Sequence, residues 1–247
     1  MKIQHFFETQ TSTLSYVVHA GKDAVVIDPV RDYDPKNGRT SWTSAEQIAA
    51  YIDREGLRVH YVIDTHAHAD HTGGFDELRR FNELSQKHLP VYAGPDTAAI
   101  LRERFSYGFD DVFPFYGGKP DLTLHEVRGP FEISGKTIVP IPVTHGRTNV
   151  LGYRFGPLAY ITDAKTIPES SIELLRGVDT LVINALRERP HPTHLSFAEA
   201  LGVSEQIAPR RAYLVHLSHE TSHVAATALL PPGVEVATDG LTITVEE

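Results

Sequence analysis

The chain contains no cysteine, so neither disulfides nor thiolate ligands can contribute to its stability or its chemistry, although this absence alone does not fix a cellular compartment. Positive charge is also scarce: 23 Lys and Arg stand against 32 Asp and Glu, for a formal net charge of −9. A surface built to neutralise nucleic-acid phosphates needs clustered cations, so nucleic acid is not an expected partner, and only a short local basic rim stays compatible with this balance. No apolar run approaches the roughly 18 residues of a membrane span, and the N-terminal MKIQHFFETQ lacks the apolar core of a signal peptide. The expectation is a cytoplasmic protein without a membrane partner. Linkers, charge blocks and low-complexity stretches are missing as well, and 247 residues suffice to bury a sizeable core, so one domain is expected over 1–247.

What is present is concentrated in His66-Ala67-His68-Ala69-Asp70-His71, which packs four metal-ligating side chains into six residues. The apolar run Val59 to Ile63 before it reads as a buried strand, and Gly73-Gly74 followed by a helical pattern from Phe75 to His88 comes after it. Side chains two apart in extended backbone share a face, so His66 and His68 are expected to address one metal. Asp70 and His71 fall past the turn and are expected to address a second, about 3.5–4 Å from the first in sites of this type. Imidazole and carboxylate donors suit zinc, manganese or iron. The run THAHADH, Thr65 to His71, resembles the signature of the metallo-β-lactamase superfamily. The resemblance implies an α/β fold of the αβ/βα four-layer sandwich type, with a mono- or dinuclear metal site at one edge of its sheets.

Along the chain, Ile3–Phe7, Ser15–Val18 and Ala24–Ile27 read as an opening meander, followed by a polar loop from Arg31 to Thr43. Ser44 with Gln47 forms a capping-box pattern for a helix that ends at Gly56. Val91–Ala93 is a short strand, and Pro95 opens a helix to about Arg104. The aromatic stretch from Phe105 to Tyr116 has no period and reads either as a cleft-lining loop or as a lid packed on the core. Strands are expected at Leu122–Val127, Phe131–Ile133, Thr137–Val143, Val150–Phe155, Leu158–Ile161, Thr180–Asn184 and Arg211–Leu217. Helices are expected at Pro168–Arg176, Ser196–Ile207 with a Ser196/Glu199 capping box, and Ser222–Leu230.

Four later residues fall where strands end or helices begin: His145, Asp163, His194 and His216. With the first motif they complete a coordination set. His66, His68 and His145 would hold the first of two divalent ions, and Asp70, His71 and His216 the second, with Asp163 bridging. A water shared by the ions would ionise near neutral pH and attack phosphorus or a carbonyl carbon. His194 is left to protonate the leaving oxygen, so His194 and Asp70 are the expected catalytic residues, Asp70 being a ligand as well. Arg187 is the candidate for binding a substrate anion, with a solvated loop arginine as its alternative, and Asp28 is expected to orient a ligand histidine or a loop. His219 competes with His216 for the last ligand position.

The resemblance divides at about residue 74. The segments IQHFFETQTSTLSYVV, VVIDPVRDYDP and THAHADH resemble the persulfide dioxygenase and glyoxalase II branch. FDELRRFNE, FSYGF, PIPVTHG, LGYRFGPLAYITDA, LVINALRERPHPTHLSFAEAL and RAYLVHLSHE resemble the phosphoribosyl cyclic phosphate phosphodiesterases, relatives of tRNase Z. The second branch implies hydrolysis of a small phosphodiester, cyclic or linear, by a dinuclear zinc or manganese enzyme. The first implies a mononuclear iron dioxygenase or a thioesterase. A third expectation is a metal-binding scaffold with little turnover. The change of pattern at the junction predicts a recombined or engineered origin. Relatives in this superfamily are often dimers, which makes a homodimer the expected assembly.

Overall fold

A computed structural model describes residues 1–8, 13–30, 32–34, 39–110, 118–238 and 240–246. The chain divides into two compact units, Met1–Arg128 with Thr242–Thr244 and Gly129–Leu241 with Val245–Glu247. Among the described residues no helix is long and apolar enough to cross a membrane.

The first unit carries strands β1 (Lys2–Glu8), β2 (Thr13–Ala20), β3 (Asp23–Ile27), the small hairpin β4 (Asp32–Asp34) and β5 (Arg39–Ser41), then β6 (Arg58–Asp64), β7 (Leu89–Ala93) and β8 (Leu122–Glu126). The second carries β9 (Phe131–Ile133), β10 (Lys136–His145), β11 (Thr148–Phe155), β12 (Leu158–Ile161), β13 (Thr180–Asn184), β14 (Arg211–Val215) and β15 (Val234–Val236); β16 (Thr242–Thr244) returns to the first unit. Each unit has one seven-stranded sheet, ordered β16-β1-β2-β3-β6-β7-β8 and β15-β14-β13-β12-β11-β10-β9. In both, an antiparallel meander meets a run of parallel strands, at β3 in one and β12 in the other. This mixed α/β architecture is the expected fold class.

The central strands β3, β12, β13 and β14 are nearly continuously buried, as strands covered on both faces are. Val26, Val62 and Val91 bury against Ile48 and Ile52 of helix α1 (Thr43–Glu55) in the first unit. Ile161, Leu181 and Leu214 pack with Phe197 and Ala200 in the second. Each fully buried Leu or Ile contributes about 1.5–3 kcal/mol relative to exposure.

Several expected elements differ in detail. Ser44 does not cap α1; Trp42 is the N-cap residue and makes no side-chain cap, while Ser44 donates its backbone N–H and hydroxyl to the two carboxylate oxygens of Asp32 at 3.0 and 2.5 Å. A carboxylate from the hairpin, a stronger acceptor than the Gln47 amide, takes the Ser44 N–H that the capping box would have used and engages the hydroxyl as well. The helix expected over 75–88 breaks into a 3-10 turn, Phe75–Leu78, and a short α3 (Arg79–Ser85), stopped by Gln86 in left-handed backbone. Ahead of them, α2 (Ala69–Thr72) is a single turn inside the metal motif. The helix α4 (Pro95–Arg104) begins with its proline as expected. In the aromatic stretch, Phe105 stacks on Phe75 with ring centroids 5.1 Å apart, and Phe105 and Phe109 pack on the core, which favours the packed reading for that part. Residues 111–117, including Tyr116, lie outside the described residues, as do 31 and 35–38 of the polar loop. In the second unit the helices are α5 (Glu169–Leu175), α6 (Phe197–Ile207) and α7 (His223–Thr227). The Ser196/Glu199 capping box of α6 is complete in both directions.

Candidate metal centre

The candidate residues collect at carboxyl ends of strands, the edge where open α/β sheets present their ligands. Asp28 follows β3, and the His66–His71 loop follows its parallel neighbour β6. In the second unit β10 ends at His145, Asp163 follows β12, His194 lies on the connection after β13, and His216 follows β14. Asp28, Asp163 and His216 have φ of +50°, +50° and +62°. Such backbone is costly for residues other than glycine and clusters at functional sites.

Within the first unit, His66 and His71 are buried and His68 is exposed. His66 Nε2 lies 3.1 Å from His68 Nδ1, so the two do share a face. The His66 and His71 rings lie 4.1 Å apart between centroids. Asp70 lies in α2, and the position of its side chain is outside the described part of the structure. The ring orientations trace to Asp28. Its Oδ1 accepts the Thr65 backbone N–H at 2.8 Å, and its Oδ2 accepts the Thr65 hydroxyl at 2.8 Å and His71 Nδ1 at 3.1 Å. A carboxylate only accepts, so His71 carries its proton on Nδ1 and keeps the Nε2 lone pair for a metal. The Thr65 hydroxyl, having donated to Asp28, accepts from His66 Nδ1 at 3.1 Å, which leaves Nε2 of His66 as a ligand atom too. Arg104 adds a clamp by donating to the carbonyl of Ala67 at 2.8 Å. Asp64 is fully buried and accepts the His66 backbone N–H at 3.1 Å; burial first, and the charge of Asp28 second, push its carboxyl well above the usual range.

Within the second unit, His145 donates from Nδ1 to the carbonyl of Thr193 at 2.8 Å, freeing Nε2 in the same way. His194 Nε2 stands 3.1 Å from Asp163 Oδ1 and 3.2 Å from His216 Nε2, and His216 Nε2 stands 3.5 Å from Asp163 Oδ1. His145, Asp163 and His194 likewise bring donor atoms within 4.8 Å of one another. Burial pushes the His194 imidazole below its ordinary pKa, while its hydrogen bond to the Asp163 carboxylate opposes this. Asp163 is placed from behind: Asn184 Oδ1 accepts the Ala164 N–H at 2.8 Å, and its Nδ2 donates to the Ala164 carbonyl at 3.1 Å.

These spacings fit a divalent cation. Four donors set tetrahedrally about zinc at about 2.0–2.1 Å lie about 3.3 Å from one another. The triangle of His194, His216 and Asp163 has edges of 3.1, 3.2 and 3.5 Å. His216 lies beside His194 and Asp163, whereas His219 is exposed. His194, expected beside the site as a proton donor, lies 3.1 Å from Asp163 and 3.2 Å from His216. Arg187 pairs with Glu220 at 2.5 Å, and Glu220 also accepts from Arg189 at 2.5 Å, so a substrate anion would compete with that carboxylate. Thr65, Arg104, Asn184 and Thr193 escaped sequence reading because each acts through backbone or through a neighbour. Only Thr65 carried a signal, as the first residue of THAHADH.

Residues 23–217 match the model of a β-lactamase superfamily domain. An octanoyltransferase of Porphyromonas gingivalis is 37% identical over 249 residues, covering 99% of this chain and 46% of that protein. A probable metallo-hydrolase of Burkholderia pseudomallei is 42% identical over 81 residues, 32% of this chain and 28% of its own length. The chain thus spans less than half the length of either curated relative. The crystal structure of a new diphosphatase from the PhnP family superposes with a TM-score of 0.78 at 32% identity, covering 94% of this chain and 84% of that one. The Porphyromonas match covers 99% of this chain and so extends across residue 74. The chain belongs to the metallo-β-lactamase superfamily.

Proposed function

We propose that the chain is a metal-dependent hydrolase acting on a small phosphodiester, with two divalent ions, zinc or manganese, held by His66, His68, Asp70, His71, His145, Asp163 and His216. The observation that carries this reading is the convergence of the proposed ligands His216 and Asp163 at 3.5 Å, with His194 beside both at 3.2 and 3.1 Å. Likeness to a diphosphatase favours phosphoryl over acyl chemistry. When bound, divalent ions supply Lewis acidity at a phosphoryl oxygen and acidify water. The chain supplies the remainder. Asp28 and Thr193 keep three histidines in the tautomer that offers Nε2. His194, a neighbour of two ligands, hands a proton to the leaving oxygen, and the Asp163 carboxylate holds that imidazole in line. Arg187 reaches a substrate anion by exchanging its Glu220 partner. No acyl-transfer role is proposed, since this chain aligns with only 46% of the relative named for one.

The test combines elemental mass spectrometry of the purified protein with turnover of bis(p-nitrophenyl) phosphate and of a small cyclic phosphodiester. Two zinc or manganese ions per chain with hydrolysis support the reading. One iron, with oxygen consumed in the presence of a glutathione persulfide, moves the chain to the dioxygenase class, and thioester cleavage moves it to the glyoxalase II class. Metal uptake without turnover of any of these leaves a binding scaffold.

A further inference from the structure

Ser15 lies in β2 and is fully buried. Its hydroxyl donates to the carbonyl of Asp28 at 2.6 Å and accepts the N–H of Val30 at 3.2 Å, so a single side chain spans the turn Asp28-Pro29-Val30. The turn needs that support. Asp28 sits at φ +50°, and Pro29 has no N–H with which to tie the backbone itself. Two further contacts hold the same turn from other sides: Asp28 N–H donates to the carbonyl of Ile63 at 3.0 Å, and Gly74 N–H donates to the carbonyl of Pro29 at 2.9 Å. Gly74 has no room for more, because a Cβ there would come within 2.4 Å of the Pro29 oxygen. With its backbone fixed in this way, the Asp28 carboxylate is aimed at Thr65 and His71, and through Thr65 at His66.

We infer that Ser15 is a positioning residue for the metal centre: its hydroxyl fixes the left-handed backbone of Asp28, and Asp28 fixes the tautomer and aim of His66 and His71. The inference rests on the metal-hydrolase reading for its functional meaning, but not for its geometry. A serine with a purely structural role would lower stability when removed and leave metal affinity alone. A positioning serine lowers affinity, and does so only through Asp28.

The experiment is a competition titration of zinc against a chromophoric chelator, on the full chain and on Ser15→Ala, Asp28→Asn and the double variant. Outer partners of metal ligands typically change affinity about 10–100-fold. Ser15→Ala is expected to weaken zinc binding about 10-fold, Asp28→Asn as much or more, and the double variant no further than Asp28→Asn, because both changes act along one path. Losses that add, or an unchanged affinity in Ser15→Ala with a lowered melting temperature, would overturn the inference. Ser15→Cys, kept reduced, replaces alanine if that variant does not fold. A metal-free readout separates this inference from the functional reading: in nitrogen-15 NMR the His71 Nδ1–H is protected in the parent and lost in Asp28→Asn. Its loss in the serine variant supports the relay, and its persistence there refutes it. A parent that takes up no zinc refutes the hydrolase reading, and the NMR result still decides the role of Ser15.

Discussion

His145 and Thr193 are joined by a 2.8 Å hydrogen bond from the imidazole Nδ1 to the backbone carbonyl, which ties the end of β10 to the loop that carries His194. Between them there is no slack. Gly146, at φ +62°, would place a Cβ 2.9 Å from Thr193 Cγ2. Gly146→Ala is therefore expected to push Thr193 off His145 and to add about 1–2 kcal/mol of left-handed strain. Metal affinity should fall with stability. Thr193→Ser removes the clashing methyl, so the double variant should recover the affinity while keeping the strain. Chelator competition and thermal melts read the two effects apart.

Removing His194 separates a proton donor from a ligand. His194→Ala is expected to cut phosphodiester turnover about 10²–10⁴-fold with both ions retained. Loss of an ion alongside activity would place His194 in the ligand set, which its distances of 3.1 Å to Asp163 and 3.2 Å to His216 also permit geometrically. Metal content measured on the same preparation decides.

Arg187 and Glu220 offer a test of substrate binding against scaffolding. Glu220 holds both Arg187 and Arg189. If Arg187 serves the substrate, Arg187→Gln raises KM while Glu220→Gln, which releases the guanidinium, lowers or preserves it. If the pair only braces the loop, both variants lose kcat and stability together.

Stability should rest measurably on the start of α6. Ser196 accepts the Glu199 N–H and Glu199 returns the bond to Ser196 N–H at 2.8 Å. Ser196→Ala is expected to cost about 1 kcal/mol, read as a melting temperature lower by about 2–4 °C for a chain of this size.

The metal-free protein should weaken on mild acidification through His19. Burial lowers the pKa of this imidazole from its ordinary 6.5, with the Gly21 carbonyl opposing. The unfolded chain takes up its proton near 6.5, while the folded chain resists until lower pH. Between those values the unfolded state binds more protons, so stability is full above about 6.5 and falls as the pH drops through and below it. Urea midpoints in chelator at pH 7.5 and 5.5 should differ less in His19→Asn than in the parent.

Much of the site was legible because its chemistry is local. THAHADH puts ligand types at a spacing that extended backbone turns into a shared face, and His66 and His68 do converge. The Ser196 capping box was legible for the same reason, its two partners being three residues apart. Ser44 and Gln47 carry the same local pattern, yet Asp32, twelve residues earlier, took Ser44 instead. A full carboxylate delivered by the hairpin outcompetes a local amide, and nothing in the window around Ser44 announces it.

Sequence alone determined which residues can bind a metal and where strands stop, since ligand chemistry and hydrophobic period are properties of short windows. Tertiary structure decided which of those residues meet. Parallel pairing of β12, β13 and β14 brings positions 163, 194 and 216 to one sheet edge, across separations no local pattern encodes. It also decided which ring nitrogen of two imidazoles carries the proton: His71 and His145 are set by Asp28 and Thr193, partners 43 and 48 residues away, because a hydrogen bond depends on distance in space and not along the chain.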